Sequence, residues 1–438
     1  MVRIVTFGVG NRAGKYLGWV QEHPSEAALA AIVEPDPVRM VAAKARYGLN
    51  DGQCFESAEA FFEASVPVDA AIITAPDREH KPIALRCIER GLHILLEKPV
   101  ATSWEDCLAI AEAAEKAGVY VSVCFILRLH PYWRKMRSLI SSPRFGRLLS
   151  VHHEVNAGID RCVHTFVRGL WSREEESSPL ILSKCCHDLD LLVYLCGSEP
   201  VKTASFGSLG WFRSENAPEG AGKRCLDCPL ESSCAFSAVD LYRRRNLWNE
   251  NFPRLPEESL EDAVERELRT GRYGRCVYAC DNDVTDHQSV LMEMSDGTVV
   301  SMRLNCLTMD DNRLTTVNAS GGEIRGDGER ITVRWFDTAE TEVFDMSELA
   351  DKPLHAGMDH EIVRDFIGRV KSGDFDSEIA LSKVLSGHRA CFEAEKYKNL
   401  YLLGRLANYK YINMDIAVLN AMKLFDTIKD EIGAERER

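Results

Sequence analysis

Two groups of residues in this sequence have the types and spacing needed for redox chemistry beside a bound nucleotide. The first apolar segment, Val2–Phe7, leads directly into the glycine-rich run Gly8-Val9-Gly10-Asn11-Arg12-Ala13. Much later, the apolar segment His93–Leu96 ends in Glu97-Lys98-Pro99. Because ligands bind at the carboxyl ends of parallel strands, we expect a phosphate-binding loop and a proton-handling lysine in one cleft.

The glycine-rich run has the pattern of a dinucleotide-binding turn. Gly8 and Gly10 permit a tight turn and a close approach of backbone to a pyrophosphate, and Ala13 permits close packing of helix on strand. A helix that starts near Asn11 and Arg12 would supply amide donors and the positive end of its dipole. Its position after a strand and before a helix therefore predicts a dinucleotide site.

Glu34 decides which dinucleotide is expected. It ends the second predicted strand, where its carboxylate can accept hydrogen bonds from the ribose hydroxyls of the adenosine. The same charge would repel a 2′-phosphate, so the sequence favours NAD over NADP. Arg12 and Arg39 lie nearby and could pair with such a phosphate, which keeps NADP as the alternative.

A second segment is predicted to contact the cofactor at the carboxyl edge of the same sheet. Thr74, Ala75 and Pro76 end the next long strand there. His80 follows at the start of a helix, where it either contacts the cofactor or caps the helix, and the sequence leaves both roles open. Glu97 and Lys98 are assigned to the same cofactor site.

The chain is predicted to contain two domains. In residues 1–126, near-continuous apolar strands alternate with helices, which indicates a doubly wound parallel sheet of the Rossmann type. Residues 127–404 alternate or run as β-branched segments joined by turns, which predicts an α+β domain with an open, mostly antiparallel sheet. A polar, cysteine-bearing insertion interrupts it at 214–285, and 405–438 is predicted to be a helical tail.

Composition excludes several classes of partner. The 438 residues carry a formal net charge of −14, which argues against nucleic acid or an anionic membrane. No apolar run reaches the roughly 20 residues of a membrane span, and Met1-Val2-Arg3 leads into a strand without a signal-peptide pattern. We therefore expect a cytoplasmic protein whose 15 cysteines are mostly free thiols.

These motifs resemble those of the Gfo/Idh/MocA family of NAD(P)-dependent oxidoreductases. The resemblance rests on the glycine-rich run, on Glu34-Pro35-Asp36, on Glu97-Lys98-Pro99 and on His187-Asp188-Leu189-Asp190. It follows nearly the whole chain in order. It implies a Rossmann domain followed by an open-sheet domain, hydride transfer at a sugar or polyol carbon, and a homodimer or homotetramer.

Lys98 and His187 are the predicted catalytic residues. Oxidation of a secondary alcohol needs a base at the hydroxyl and a cation beside the developing alkoxide. Burial at a strand end would disfavour the ammonium of Lys98, the direction a base needs, unless Lys98 only pairs with Glu97 or a cofactor hydroxyl. The resemblance implies that His187 is the active-site histidine, whereas its apolar surroundings alone would suggest a core residue.

One position departs from the family pattern. The family's dehydrogenases often carry an aspartate four residues before that histidine, where this chain has Ser183. The adjacent Lys184 is a second candidate cation, so the identity of the base stays open.

Further residues are predicted to line the substrate side of the cleft: Arg128, His130, Arg168, Trp171 and Asp188. Arginine supplies donors to sugar hydroxyls, and tryptophan supplies a stacking face. A surface ion pair or a core aromatic is the alternative for the arginines and the tryptophan, and the sequence does not separate the two.

The insertion carries cysteines spaced like part of a structural zinc site. Cys225 and Cys228 are separated by two residues, Cys234 follows, and one of Cys276 and Cys280 would complete a tetrahedron. We predict Cys280 as the fourth ligand. Zinc would stabilise an insertion that lacks its own core, and free thiols or an adventitious disulfide are the alternatives.

Three functions are compatible with these motifs. The favoured one is a dehydrogenase that transfers hydride between NAD and a secondary hydroxyl of a sugar, polyol or sugar derivative. The second is a redox-neutral lyase or glycosidase that retains NAD and acts by transient oxidation. The third is a non-catalytic nucleotide-sensing regulator, against which the presence of both Lys98 and His187 argues.

Overall fold

Six short strands form the first sheet in the computed structural model, which describes residues 1–249, 252, 254, 257–349, 357–396, 398 and 425. They are β1 (Val2–Phe7), β2 (Ala27–Val33), β3 (Cys54–Phe55), β4 (Ala70–Ile73), β5 (His93–Leu96) and β6 (Val121–Val123). Their order is β3-β2-β1-β4-β5-β6, with every pair parallel. The order reverses between β1 and β4, so the crevice at their carboxyl ends is the expected ligand site.

Five helices connect these strands: α1 (Asn11–Glu22), α2 (Pro37–Tyr47), α3 (Ala58–Glu63), α4 (His80–Glu89) and α5 (Trp104–Ala117). Local sequence sets their ends. Asp36 accepts hydrogen bonds from the first amide groups of α2, and Ser103 does so for α5. Gly118 ends α5 in the left-handed conformation that glycine adopts most readily. The predicted doubly wound domain is confirmed.

The second domain is built on one eight-stranded sheet. Its strands are β7 (Leu148–Asn156), β8 (Pro200–Ser208), β9 (His287–Met294), β10 (Val299–Asn305), β11 (Arg313–Ala319), β12 (Gly322–Gly326), β13 (Arg330–Trp335) and β14 (Thr341–Asp345). The order is β14-β13-β12-β11-β7-β10-β9-β8, and neighbours are antiparallel except β7 and β10. The predicted open, mostly antiparallel sheet is confirmed.

Helices cover one face of this sheet. Within the described part of the chain, the remaining helices are α6 (Ile126–Leu129), α7 (Pro131–Ile140), α8 (Ile159–Cys162), α9 (Leu180–Ser183), α10 (Cys186–Cys196), α11 (Leu260–Arg269), α12 (Met358–Ser372) and α13 (Leu381–Lys396). α10 packs on β7 and α13 packs on β8. The other face exposes apolar side chains, among them Phe206, Leu291 and Val299. Among the described residues, no helix is both long enough and apolar enough to cross a membrane.

The chain returns to the first domain in α12, although the sequence places these residues in the second. α12 packs on α1 and α6, and Arg12 of α1 pairs with Asp359 at 2.8 Å. Just beyond α12, the Ile379 carbonyl accepts the Val123 amide of β6 at 2.9 Å. Helical periodicity predicts the helix itself, but it cannot tell which apolar surface the helix will cover. The predicted tail at 405–438 lies outside the described residues, apart from Phe425.

The insertion at 214–285 packs buried apolar residues into the common hydrophobic core of the described chain. Leu241, Tyr242, Leu268 and Val277 are all buried there, and α11 contributes one side of the cluster. Phe236 and Tyr278 pack edge to face with ring centroids 6.0 Å apart. Because buried apolar surface already stabilises this segment, the physical argument for a zinc ion no longer holds.

Candidate active site

The glycine-rich loop is shaped to bring its backbone close to a ligand. Gly8 has φ +87°, and a Cβ there would lie 2.9 Å from the carbonyl oxygen of Thr74. A Cβ on Gly10, by contrast, would meet nothing within 4 Å. Gly10 is the residue just before α1. It has no side chain that could accept hydrogen bonds from the first backbone amides of this helix. The open space above these amides fits a pyrophosphate, and buried Ala13 lets α1 lie against the sheet.

Glu34 is fixed at the tip of β2 beside this loop. Its Oε2 accepts the amide of Val9 at 3.0 Å, and its Oε1 accepts the amide of Asp36 at 3.1 Å. Each carboxylate oxygen can accept a further hydrogen bond, so the group fits ribose hydroxyls. Arg39 lies at the start of α2, where its guanidinium is 3.9 Å from Asp36. The residues present therefore fit a dinucleotide.

The loop after β4 is held by contacts with the protein itself. The hydroxyl of Thr74 donates to the carbonyl of Gly8 at 3.0 Å. The buried ring of His80 lies between two carbonyl oxygens, with Nε2 at 2.9 Å from Ala75 and Nδ1 at 2.7 Å from Pro99. Pro76 precedes the short turn that leads into α4. His80 therefore ties together the loops after β4 and β5, and it provides no side-chain cap for α4.

A buried carboxylate, Glu97, lies at the base of the loop that carries Lys98. Its Oε1 accepts hydrogen bonds from Arg12 Nε at 2.6 Å and from the Tyr16 hydroxyl at 2.5 Å. Its Oε2 accepts the amide of Lys98 at 2.9 Å. Burial opposes ionisation, but the charges of Arg12 and Lys98 outweigh it, so the pKa of Glu97 lies below its ordinary value. In this arrangement Arg12 and Glu97 are engaged with the protein.

Lys98 reaches across to the second domain. Its Nζ donates to the carbonyl oxygen of Ser183 at 2.6 Å. Ser183 ends α9, and the chain then enters α10, which carries His187. The Ser183 hydroxyl, in the position where the family often has aspartate, is buried without a hydrogen-bond partner in the described part of the chain. The lysine ammonium is therefore held close to the start of the histidine-bearing helix.

His187 is held in its neutral form. Its ring packs edge-on against Phe125, with centroids 5.4 Å apart. Its Nδ1 is enclosed and has no hydrogen-bond partner among the described residues. Burial, and then the charges of Lys98 and Arg313, keep the pKa of His187 well below its ordinary value. A neutral imidazole beside an ammonium can accept a proton from a substrate hydroxyl.

Asp188 belongs to a buried ion pair. Its carboxylate binds the guanidinium of Arg313 through Nε and Nη2, and His153 Nε2 lies 3.2 Å from its Oδ1. Burial raises the pKa of Asp188, but the charge of Arg313 outweighs this and holds it far below its ordinary value. Because Asp188 is fully enclosed, it positions Arg313 and we do not assign it a substrate contact. No local motif in the sequence singled out Arg313.

Two arginines predicted to contact substrate make structural contacts instead. Arg128 is buried and binds Asp190 in a bidentate pair, at 2.8 Å and 2.7 Å. Arg168 is fully buried and donates to the carbonyl oxygens of Arg275 and Phe236, both at 2.7 Å. Neither guanidinium faces a cleft, so we do not assign either one to the substrate.

The remaining predicted substrate residues differ in their surroundings. His130 precedes α7, and its Nδ1 accepts the amide of Tyr132 at 3.2 Å, so it caps that helix. Trp171 is 37% exposed and keeps a free face available for stacking. Lys184 lies beside the Arg313 pair, with its Nζ 3.9 Å from Asp311 Oδ1.

The cysteines of the insertion do not form a metal centre. Within the described residues, no group of three or more histidine, cysteine, aspartate or glutamate side chains is arranged to hold a metal ion. Cys280 Sγ approaches the carbonyl of Cys276 at 3.2 Å, and Cys228 Sγ accepts an amide from Gly222 at 3.3 Å. Cys225 Sγ lies 3.6 Å from the Arg168 guanidinium, and Cys234 is likewise a free thiol. No metal-binding arrangement is therefore found among the described residues, although Cys234 and Cys276 each lie within electrostatic range of Cys225 and Cys228.

His388 is a site residue that the sequence could not place. It lies in α13, fully buried, and its Nε2 accepts the amide of Val100 at 2.8 Å. Its ring packs against Phe125, the same ring that contacts His187. Burial lowers the pKa of His388 to about 3, so it is neutral and accepts this hydrogen bond. A helix far along the chain therefore holds the loop that carries Lys98.

Comparison with known proteins gives the same class of protein. The profile of the GFO_IDH_MocA family, described as an oxidoreductase family with an NAD-binding Rossmann fold, matches residues 2–125. The N-terminal domain therefore matches the model of the family that the motifs resemble. YteT of Bacillus subtilis (strain 168) is 23% identical over 337 residues, which are 74% of this chain and 76% of YteT.

An inositol 2-dehydrogenase of Corynebacterium glutamicum (strain R) is also similar. It is 29% identical over 204 residues, 46% of this chain and 56% of that protein. The match therefore spans just over half the length of the inositol dehydrogenase.

Solved structures share the fold. A scyllo-inositol dehydrogenase from Lactobacillus casei, solved with NAD(H) and scyllo-inositol, matches with a TM-score of 0.62 and 15% identity, covering 91% of this chain and 97% of that one. An oxidoreductase from Agrobacterium radiobacter, solved with NAD+, L-tartaric acid and magnesium, matches with a TM-score of 0.64 and 15% identity, covering 90% and 96%. Similarity at this level of identity shows the two-domain fold.

The two loop glycines are expected to respond differently to substitution. Gly8→Ala should lower the free energy of unfolding by about 1–3 kcal/mol, because the left-handed backbone and the Thr74 carbonyl both oppose a Cβ. Gly10→Ala should leave stability within about 0.5 kcal/mol and weaken NAD binding about tenfold, because its Cβ fills only the space for the ligand. Urea unfolding and calorimetric titration with NAD measure both effects. Equal stability of the two variants would contradict the loop geometry.

His388 is expected to make stability depend on acidity. Its pKa is about 3 in the folded chain and about 6.5 when unfolded, so the unfolded state binds the extra proton between these values. Stability should therefore fall as the pH drops below about 6.5, with up to about 1.4 kcal/mol per pH unit from this group. His388→Gln keeps an acceptor for Val100 and does not titrate, so urea unfolding at several pH values should show a shallower loss. The exposed His152→Gln serves as the control, and equal slopes in both variants would refute the assignment.

Proposed function

We propose that the chain is an NAD-dependent dehydrogenase that acts on a secondary hydroxyl group of a sugar, polyol or sugar derivative. The observation that carries the proposal is that Lys98, bound to the Ser183 carbonyl, lies within electrostatic range of a neutral His187. The glycine loop opens at the carboxyl edge of the parallel sheet. The matched relatives and structures named as inositol dehydrogenases support this reaction class.

The chemistry follows from these groups. Bound NAD supplies the hydride acceptor. The ammonium of Lys98 has three N–H donors, and one of them donates a hydrogen bond to the Ser183 carbonyl. The other two can donate to the substrate oxygen and stabilise a developing alkoxide. His187 accepts the hydroxyl proton as the carbon loses its hydride and becomes a carbonyl carbon. Glu97 keeps the lysine loop in place through its contacts with Arg12 and Tyr16.

The two other functions receive less support. Redox-neutral cleavage would use the same lysine and histidine. The similar proteins are, however, named as inositol dehydrogenases, which indicates net oxidation. A non-catalytic regulator would not require a lysine ammonium and a neutral imidazole to be held together. Net hydride transfer therefore fits the site best.

We assign NAD rather than NADP as the cofactor on the basis of Glu34. Its carboxylate is anchored by the amides of Val9 and Asp36, so it cannot easily swing away from the ribose position. A 2′-phosphate placed there would meet a fixed negative charge. The guanidinium of Arg39 lies 3.9 Å from the carboxylate of Asp36, which competes with a phosphate for its charge.

We also propose a homo-oligomer, as the resemblance implied. The open face of the eight-stranded sheet exposes Phe206, Leu291 and Val299. An apolar sheet face of this kind is suited to an isologous contact with a second copy.

Lys98→Ala and His187→Ala are expected to lose catalysis while keeping the cofactor. Removing either proton-handling group should lower kcat about 10²- to 10⁴-fold, measured as NADH absorbance with a panel of sugars and polyols. NAD binding by calorimetry should change little, since the glycine loop and Glu34 are untouched. Lys116→Ala, exposed in the last turn of α5, is the matched lysine control. Full activity in both active-site variants would exclude the proposal.

Glu34→Gln is expected to relax the choice of cofactor. The amide keeps one of the two acceptors, for Val9 or for Asp36, and loses the charge, so the ratio of NADP to NAD affinity should rise about tenfold or more. Calorimetric titration with each dinucleotide gives this ratio. Glu112→Gln, exposed on α5, is the control, and an unchanged ratio in Glu34→Gln would show that this carboxylate does not select the cofactor.

A further inference from the structure

Four basic side chains gather close to His187. This cation cluster consists of Lys98, Arg161, Lys184 and Arg313. Lys98 donates to the carbonyl of Ser183, next to Lys184 in the chain. Arg161 and Lys184 both face Asp311, and Arg313 pairs with Asp188, the neighbour of His187. The cluster is therefore continuous around the catalytic pair.

The positive charge of the cluster is only partly balanced. Three carboxylates, Asp188, Asp311 and Glu97, lie against its four cations, and Glu97 is shared with Arg12. Asp188 is fully enclosed behind Arg313, so it offers nothing to a ligand. The chain as a whole carries a net charge of −14, which makes a local excess of positive charge unusual for this protein. Such an excess in a cleft favours the binding of anions.

Lys184 lacks a good partner. Its side chain is only 18% exposed, and its nearest carboxylate oxygen, on Asp311, is 3.9 Å away, beyond hydrogen-bond distance. Its ammonium makes no hydrogen bond with any described residue. Burial, followed by the charge of Arg313, lowers the pKa of Lys184, consistent with an ammonium that lacks compensation. A mostly buried ammonium in this position is stabilised when an anion binds to it.

Arg313 has donor capacity to spare. Its Nε and Nη2 are used by Asp188, whereas Nη1 has no hydrogen-bond partner within the described residues. The side chain is 25% exposed. Its guanidinium is held in place by the buried Asp188, so the free edge is fixed in direction. A fixed guanidinium edge beside an ammonium suits a carboxylate or a phosphate group.

We propose that Lys184 and Arg313 bind an anionic group, a carboxylate or a phosphate, on the sugar or polyol substrate. The inference rests on the proposed dehydrogenase function and names the substrate class for the same site. The hydroxyl to be oxidised lies between Lys98 and His187, and the anionic group lies toward Lys184. A neutral polyol would leave Lys184 without compensation.

Matched pairs of ligands test the proposal directly. Thermal shift and calorimetry, with NAD present, compare D-glucuronate and D-glucose 6-phosphate with D-glucose, and D-gluconate with D-sorbitol. We expect an anionic member to bind about tenfold or more tightly than its neutral counterpart, and to weaken at high ionic strength. The carboxylate and phosphate arms show which anion is used. Equal binding within every pair, or no binding in any, overturns the proposal.

Lys184→Gln then assigns the effect to this site. It should weaken the anionic ligand about tenfold or more and leave the neutral one nearly unchanged. Lys116→Gln, exposed in the last turn of α5, is the matched control. Arg313→Lys is the second variant, since it retains a charge for Asp188 and loses only the guanidinium edge. Unchanged anion binding in Lys184→Gln refutes the assignment.

The two proposals fail in different ways. If Lys98→Ala and His187→Ala keep full turnover, the dehydrogenase mechanism fails, whether or not anionic ligands bind more tightly than neutral ones. If those variants lose turnover but neutral polyols bind as well as their acids, only the anion subsite fails.

Discussion

The buried carboxylate of Glu97 is the constraint on which the site depends. It joins Arg12 and Tyr16 of the first helix to the amide of Lys98, and Arg12 in turn pairs with Asp359 of α12. Removing one member of a buried charge pair typically costs about 3–5 kcal/mol, because the other is left uncompensated. The loop that carries Lys98 is therefore fixed by the same contacts that pack α1 against α12.

Residues of the second domain also hold the loop that carries Lys98 in place. The Ser183 carbonyl receives the Lys98 ammonium, and His388 of α13 receives the amide of Val100 just beyond it. These contacts place the lysine charge beside His187, and that charge, together with burial, keeps the imidazole neutral. The packing of the two domains therefore sets both the position of the Lys98 ammonium and the neutral state of the His187 imidazole.

The same residue types serve structure and chemistry in this chain, which limits inference from composition. Arg128 and Arg168 were predicted at the substrate, yet one binds Asp190 and the other binds backbone carbonyls. Arg313, which no motif marked, lies beside His187. The cysteines of the insertion have metal-like spacing, but apolar packing stabilises that segment. An arginine or cysteine in a sequence shows which interactions are available, and only its neighbours in space select among them.

Local features could be predicted from the amino-acid sequence: the glycine turn at Gly8, the buried parallel strands, and the strand end at Glu97 and Lys98. These depend on backbone sterics and on residues a few positions apart, so their patterns can be read directly. Only the tertiary structure decided that α12 returns to the first domain, that His388 supports the lysine loop, and that Lys184 and Arg313 lie together. Those contacts join residues far apart in the chain, and they follow from which apolar faces pack together, which periodicity does not specify.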